Sequence, residues 1–166
     1  MPVDSSISPM NSKTKPIKIL FAFNLYYYQS AELNSSYIFF VNTLKRMGHE
    51  VLVLDFGTLN QVGGNLLVSK ILLSTISSYK PNLLFTVPSK NEITKLVLTY
   101  ITKFTRVTTL AWNSDDDRRW NNYSRTFAPS YDYMVTTYPD VNNEAKKEGF
   151  QNILCSQWAS NPRYHR

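Results

Sequence analysis

The segment AWNSDDDRRW, Ala111 to Trp120, places three carboxylates, two guanidiniums and two indoles within ten positions. These types suit the handling of a polar, hydroxylated ligand. A carboxylate accepts hydrogen bonds from hydroxyls, and beside a reacting hydroxyl it serves as a general base. An indole covers the apolar face of a sugar ring. Asp115, Asp116 and Asp117 are the clustered candidates for a base, and their types do not choose among them. Trp112, Asn113, Arg118, Arg119 and Trp120 complete the candidate substrate-binding set. A local explanation fits equally well. Ser114 and the aspartates suit the N-cap and first turn of a helix, where negative charge opposes the positive end of the dipole, and the two arginines then neutralise the cluster. An Asp115-x-Asp117 pair could also hold a divalent cation such as manganese. A short acidic triplet is thin ground for that, and neither metal nor cofactor is expected. A second aromatic group, Tyr26, Tyr27 and Tyr28 in NLYYYQS, suits sugar stacking or packing under a neighbouring loop.

The elements that must position these residues are read from hydropathy period. IKILFAF, Ile17 to Phe23, is a short apolar run and reads as a buried strand. Leu33, Tyr37, Phe40, Val41 and Leu44 recur at helical spacing, and Gly48 follows Lys45 and Arg46 as a helix stop. Val51 to Phe56 is a second strand. A helix follows, with an apolar face through Leu66, Leu67, Ile71 and Ile76. Pro81 opens a third strand, NLLFTV, and a third helix follows with Asn91 as N-cap. RVTTLAW and Tyr131 to Thr137 are strands four and five. A short helix runs from Pro139 to Gly149, and NILCSQW is the last strand. Strands apolar on both faces, alternating with helices, specify an α/β domain. The expected architecture is a Rossmann-like, doubly wound, mostly parallel sheet of about six strands with helices on both faces. Ligands in such sheets bind beyond the carboxyl ends of the strands, and AWNSDDDRRW follows one of those ends.

The 166 residues suit one domain, with residues 1–15 as a flexible tail and 16–166 as the folded unit. The net charge of +6 permits anionic ligands or anionic lipid headgroups without demanding them. No RNP, zinc-finger or helix-turn-helix signature points to nucleic acid. The lone Cys155 excludes an intrachain disulfide framework and, inside an apolar run, reads as a buried small hydrophobe. The N-terminus lacks the apolar core of a signal peptide and no apolar run reaches membrane-spanning length, so the cytoplasm is the expected location.

Several chemistries lack their motifs. The loop after the first strand has no glycine to admit a pyrophosphate, which argues against NAD or FAD. There is no Walker A sequence, no CxxC and no HExxH; His49 and His165 stand alone. Gly63-Gly64 reads as a loop or frayed helix start rather than an anion-binding nest.

WNSDDDRRW, FAPSYDYMVTTYPD and KKEGFQNILCSQWASNPRYHR, together with KPIKILFAF and GHEVLVLDF, resemble the N-terminal Rossmann-like domain of the CgeB-like, spore-maturation type of GT-B glycosyltransferases. The resemblance spans Lys15 to Arg166. It implies an acceptor-side domain of an enzyme that moves a sugar from a nucleotide-sugar donor to a hydroxyl acceptor. In that group a second Rossmann domain binds the donor, and this sequence contains no such half. The resemblance therefore implies an isolated domain, a fragment or one subunit of a split enzyme, inactive alone, with a separate donor-domain subunit or a second copy as partner. The other expectation is a non-catalytic interaction or scaffold module derived from such a domain, which would expose a large apolar patch. A metal-dependent GT-A-like transferase ranks below both.

Overall fold

A computed structural model describes residues 15–27, 30–89 and 92–157. Asn91, Tyr28, His165 and nearly all of the expected tail lie outside those residues.

Six strands form one all-parallel sheet: β1 Lys18–Phe23, β2 Glu50–Asp55, β3 Leu83–Val87, β4 Thr108–Asn113, β5 Tyr133–Thr136 and β6 Ile153–Cys155. Their order is β2-β1-β3-β4-β5-β6. The helices are α1, a π-helical turn Tyr37–Val41 running into Asn42–Arg46; α2, Phe56–Tyr79; α3, Lys95–Phe104; α4, a composite of Asp116–Arg119, Trp120–Ser124, Arg125–Phe127 and Ala128–Ser130; and α5, Pro139–Lys147. The chain first steps from β1 outward to β2, then crosses back over β1 to β3 and continues in that direction. Right-handed crossovers then put α1 on one face and the other helices on the opposite face.

The two cores follow that division. Leu20, Ala22, Leu84, Ala111, Met134 and Ile153 point from the sheet into a core completed by Val68, Leu72, Leu98, Ile101, Trp120 and Val141. Residues of opposite parity, Ile19, Phe21, Phe23, Phe85, Trp112 and Val135, join Val41 of α1 in the second core. The aromatic rings of this second core interlock, with Phe40 against Phe85 at 5.2 Å and Trp112 edge-on to Phe40 at 5.1 Å.

Several local expectations are corrected. Leu33 is not helical: it forms an antiparallel bridge with Tyr26 and is 43% exposed. Phe56 ends no strand; it opens α2 and is buried, while Asp55 caps that helix by accepting from Gly57 N at 3.0 Å. The buried row of α2 is Val68, Leu72 and Ile76, whereas Leu66 is 78% exposed. Leu66, Leu67, Val68, Ile71, Leu72 and Leu73 carry apolar side chains around most of the helix, so period does not select the buried side; upstream, Gly63 and Gly64 leave helical geometry, Gly64 with φ 62, and kink the helix. Thr94 caps α3, its hydroxyl accepting from Val97 N at 3.3 Å. Cys155 is exposed rather than buried, because β6 is a three-residue edge strand that buries only Ile153.

Candidate functional site

The strand order moves the site. In an open parallel sheet the crevice forms where successive connections leave for opposite faces, and here that point lies between β1 and β3. Asn24 is the first polar residue past β1; Ser89 lies just beyond β3. Asn24 Nδ2 donates to Glu92 Oε1 at 3.5 Å, and Ser89 N donates to the same oxygen at 3.2 Å. Glu92, 3% exposed, thus ties the two strand ends together beneath the crevice.

One cleft opens there and a second beside it at the ends of β1 and β2, the two sharing Asn24 and Tyr27. The first, about 340 Å³, is walled by Ser35 and Ser36 on one side and by Ser114, Asp115 and Arg119 on the other. The second, about 580 Å³, is walled by Tyr26, Asp55, Gly57 and Thr58. Tyr26 and Tyr27 are each 44% exposed, and Tyr27 Oη accepts from Ser35 N at 3.1 Å, which steadies the ring at the cleft wall. Asp55 is already engaged by Leu25 N, Gly57 N and Thr58 Oγ1, so its carboxylate is a local organiser.

The charged segment is divided by depth. Asp115 is exposed and lines the cleft, and its carbonyl receives Arg118 N and Arg119 N at 3.2 and 3.1 Å, which starts α4. No side-chain cap accompanies it. Arg119 lines the same cleft. Its Nη1 donates to Pro88 O at 2.8 Å and its guanidinium lies over the Tyr123 ring at 4.5 Å, so the cation is held in place rather than free in solvent.

Asp116 is 1% exposed and accepts from Ser124 Oγ. Burial raises its pKa above the ordinary value; the Ser124 and Thr136 hydroxyls and the Arg119 charge oppose that shift, and Asp115 adds to it. Asn113 is also 1% exposed, and neither amide atom finds a partner among the described residues. Asp117 and Arg118 face solvent and pair with each other at 3.3 Å, an exposed contact of little energetic weight.

The expected indole stacking does not fit this arrangement. Trp112, 9% exposed, and Trp120, 2% exposed, are core residues on opposite faces of the sheet. Trp120 packs edge-on to Phe150 at 5.6 Å. An apolar ring gains more from burial than from waiting for a ligand. Of the residues singled out in sequence, Asp115, Arg119 and Tyr27 meet at the crevice, and Tyr26 lines the neighbouring cleft beside the end of β2. Trp112, Asn113, Asp116 and Trp120 are enclosed, and Asp117 and Arg118 lie outside the cleft walls. Asn24, Ser35, Ser36, Ser89 and Glu92 were missed. Only the position of Asn24, first polar residue after an apolar run, was a usable signal.

Among the described residues no group of three or more His, Cys, Asp or Glu side chains could hold a metal, and no helix is long and apolar enough to cross a membrane. The fold places the chain among the doubly wound, Rossmann-like α/β proteins. No protein-family model matches the chain, and no curated protein matches its sequence.

Proposed function

We propose that this chain is the acceptor-side half of a GT-B-type glycosyltransferase and that a hydroxylated acceptor seats in the crevice between the ends of β1 and β3. The observation that carries this reading is the meeting of Asp115, Arg119, Asn24 and Tyr27 at the topological switch point. The resemblance of WNSDDDRRW and the segments after it supports the same assignment. Such a lining suits a sugar or polyol: an exposed carboxylate and amides for hydroxyls, and a half-exposed phenol ring for an apolar ring face.

In the transfer, the acceptor hydroxyl oxygen bonds to the anomeric carbon as the nucleoside diphosphate leaves, and the hydroxyl proton passes to a carboxylate. Asp115 is the one of the three aspartates that is both exposed and in the cleft wall, so it takes the role of base. A second Rossmann-like unit supplies the nucleotide-sugar site, and the chain alone binds acceptor without turnover.

The test is NMR titration of the chain with a panel of free hexoses. Shifts confined to Asn24, Tyr27, Asp115 and Arg119, and abolished by Asp115→Asn without change in melting temperature, are expected. Perturbations elsewhere, no perturbation by any sugar, or sugar transfer by the purified chain alone would overturn the reading. The interaction-module alternative draws on Tyr133 and Leu154, 47% and 46% exposed on the sheet face that carries α1; an absence of sugar binding would favour it.

A further inference from the structure

From a different part of the molecule, we infer that the outer surface of α3 docks on an anionic lipid bilayer. Leu96, Tyr100 and Phe104 recur every four residues along α3 and are 80%, 51% and 73% exposed. That spacing sets them in one row on the helix surface, about 12 Å long at the helical rise. Tyr100 and Phe104 pack against each other with ring centroids 5.7 Å apart. The buried side of the same helix is supplied by Leu98 and Ile101, so the exposed row is surplus to the core. Large apolar side chains left in water in a contiguous row mark an interaction surface.

Charge selects the partner. From Phe56 to Ser114 the chain has six basic residues, Lys70, Lys80, Lys90, Lys95, Lys103 and Arg106, and one acidic residue, Glu92. Glu92 is buried under the crevice, so this stretch offers solvent no carboxylate. Lys95, Lys103 and Arg106 on or beside α3, and Lys80 at the end of α2, are all exposed, and none forms an ion pair with a described acidic residue. Asp132, which shares a groove with Arg106, is half-buried, and its Oδ2 accepts from Thr109 N at 2.8 Å and Thr109 Oγ1 at 3.1 Å; its charge offsets part of that of Arg106 and leaves Lys80, Lys95 and Lys103 in excess.

Between the ends of α2 and α3 lies a groove of about 630 Å³, with Leu73, Ile76 and Tyr100 on its walls and Lys80 and Arg106 among its lining. Lys80 there holds a left-handed φ of 51, a conformation that a non-glycine residue keeps at some cost. An apolar row with cations on its flanks is the arrangement that lies in a lipid interface: the side chains enter the acyl boundary, and the lysine stems extend toward headgroup phosphates.

Co-sedimentation of the full chain with vesicles tests this. The chain is expected to sediment with equimolar phosphatidylcholine and phosphatidylserine vesicles, to remain in solution with phosphatidylcholine alone, and to be released by salt. Leu96→Ser with Phe104→Ser should weaken vesicle binding at least about tenfold, and Lys103→Glu with Arg106→Glu by about tenfold or more, with circular dichroism unchanged. Equal binding to charged and neutral vesicles, or binding unmoved by either pair of substitutions, overturns the proposal. So does a wild-type dimer that Leu96→Ser and Phe104→Ser dissociate, because the row would then belong to a second copy.

Discussion

Gly149 offers a substitution whose energy can be worked from geometry. It follows α5 at φ 90, with Glu148 as the cap residue. Gly149 N donates to Lys146 O at 3.1 Å and Phe150 N to Ala145 O at 3.0 Å, the paired bonds of a Schellman motif. A Cβ at this position would meet nothing within 4 Å. The cost of a side chain is therefore conformational alone, about 1–2 kcal/mol for an L-residue held in the left-handed region. Gly149→Ala should lose about 1 kcal/mol and Gly149→Asn about half of that, since Asn tolerates this region; Gly149→Val should lose about 2 kcal/mol or more. For a chain of this size the alanine change corresponds to a drop of about 2–4 °C in melting temperature. Urea denaturation followed by circular dichroism reads all three. Gly48 is an internal control: it has φ 90, open space around a Cβ, and the same bond pair, Gly48 N to Lys45 O and His49 N to Leu44 O. Equal stability of the glycine, alanine and valine forms would refute the cap, and equal losses for alanine and asparagine would refute its left-handed origin. The cap also sets Phe150 against Trp120, so a failed cap loosens the helix that carries Arg119.

Asp116→Asn should be as stable as the wild type or more stable at neutral pH. A carboxyl whose folded pKa is raised contributes stability below its unfolded value and loses it as pH rises through the folded value, so the advantage of the amide should vanish toward pH 3; denaturation curves showing a less stable variant at neutral pH would contradict this. Trp120→Ala should cost about 3–5 kcal/mol, the range for emptying a buried aromatic site, and a change below about 1 kcal/mol in urea denaturation would place the indole outside the core.

The fold was legible in the sequence because strand and helix periods differ and because the strands are apolar on both faces. Parallel strands were readable from apolar runs such as IKILFAF, an inner strand buried on both faces, and even from VLVLDF, the edge strand β2, which pairs only with β1. Gly48 and Gly149 were readable as helix stops because only local backbone geometry sets that requirement. The site was legible only in part. Asp115, Asp116 and Asp117 are adjacent in sequence and identical in type, yet helical geometry turns the middle one inward to Ser124 and leaves the other two exposed. The buried side of α2 was not legible because residues 66, 67, 68, 71, 72, 73 and 76 are all apolar and ring most of the helix; only packing on the sheet selects Val68, Leu72 and Ile76. A cleft at the strand ends was expected, but its place between β1 and β3 was not readable. Asn24, Ser89 and Glu92 share it because the connection from β2 crosses back over β1 to β3. Composition and period determine which segments are strands and helices, since those signals are local. Which strand ends become neighbours depends on the order of crossovers, and that order is decided by how the helices share the two faces of the sheet.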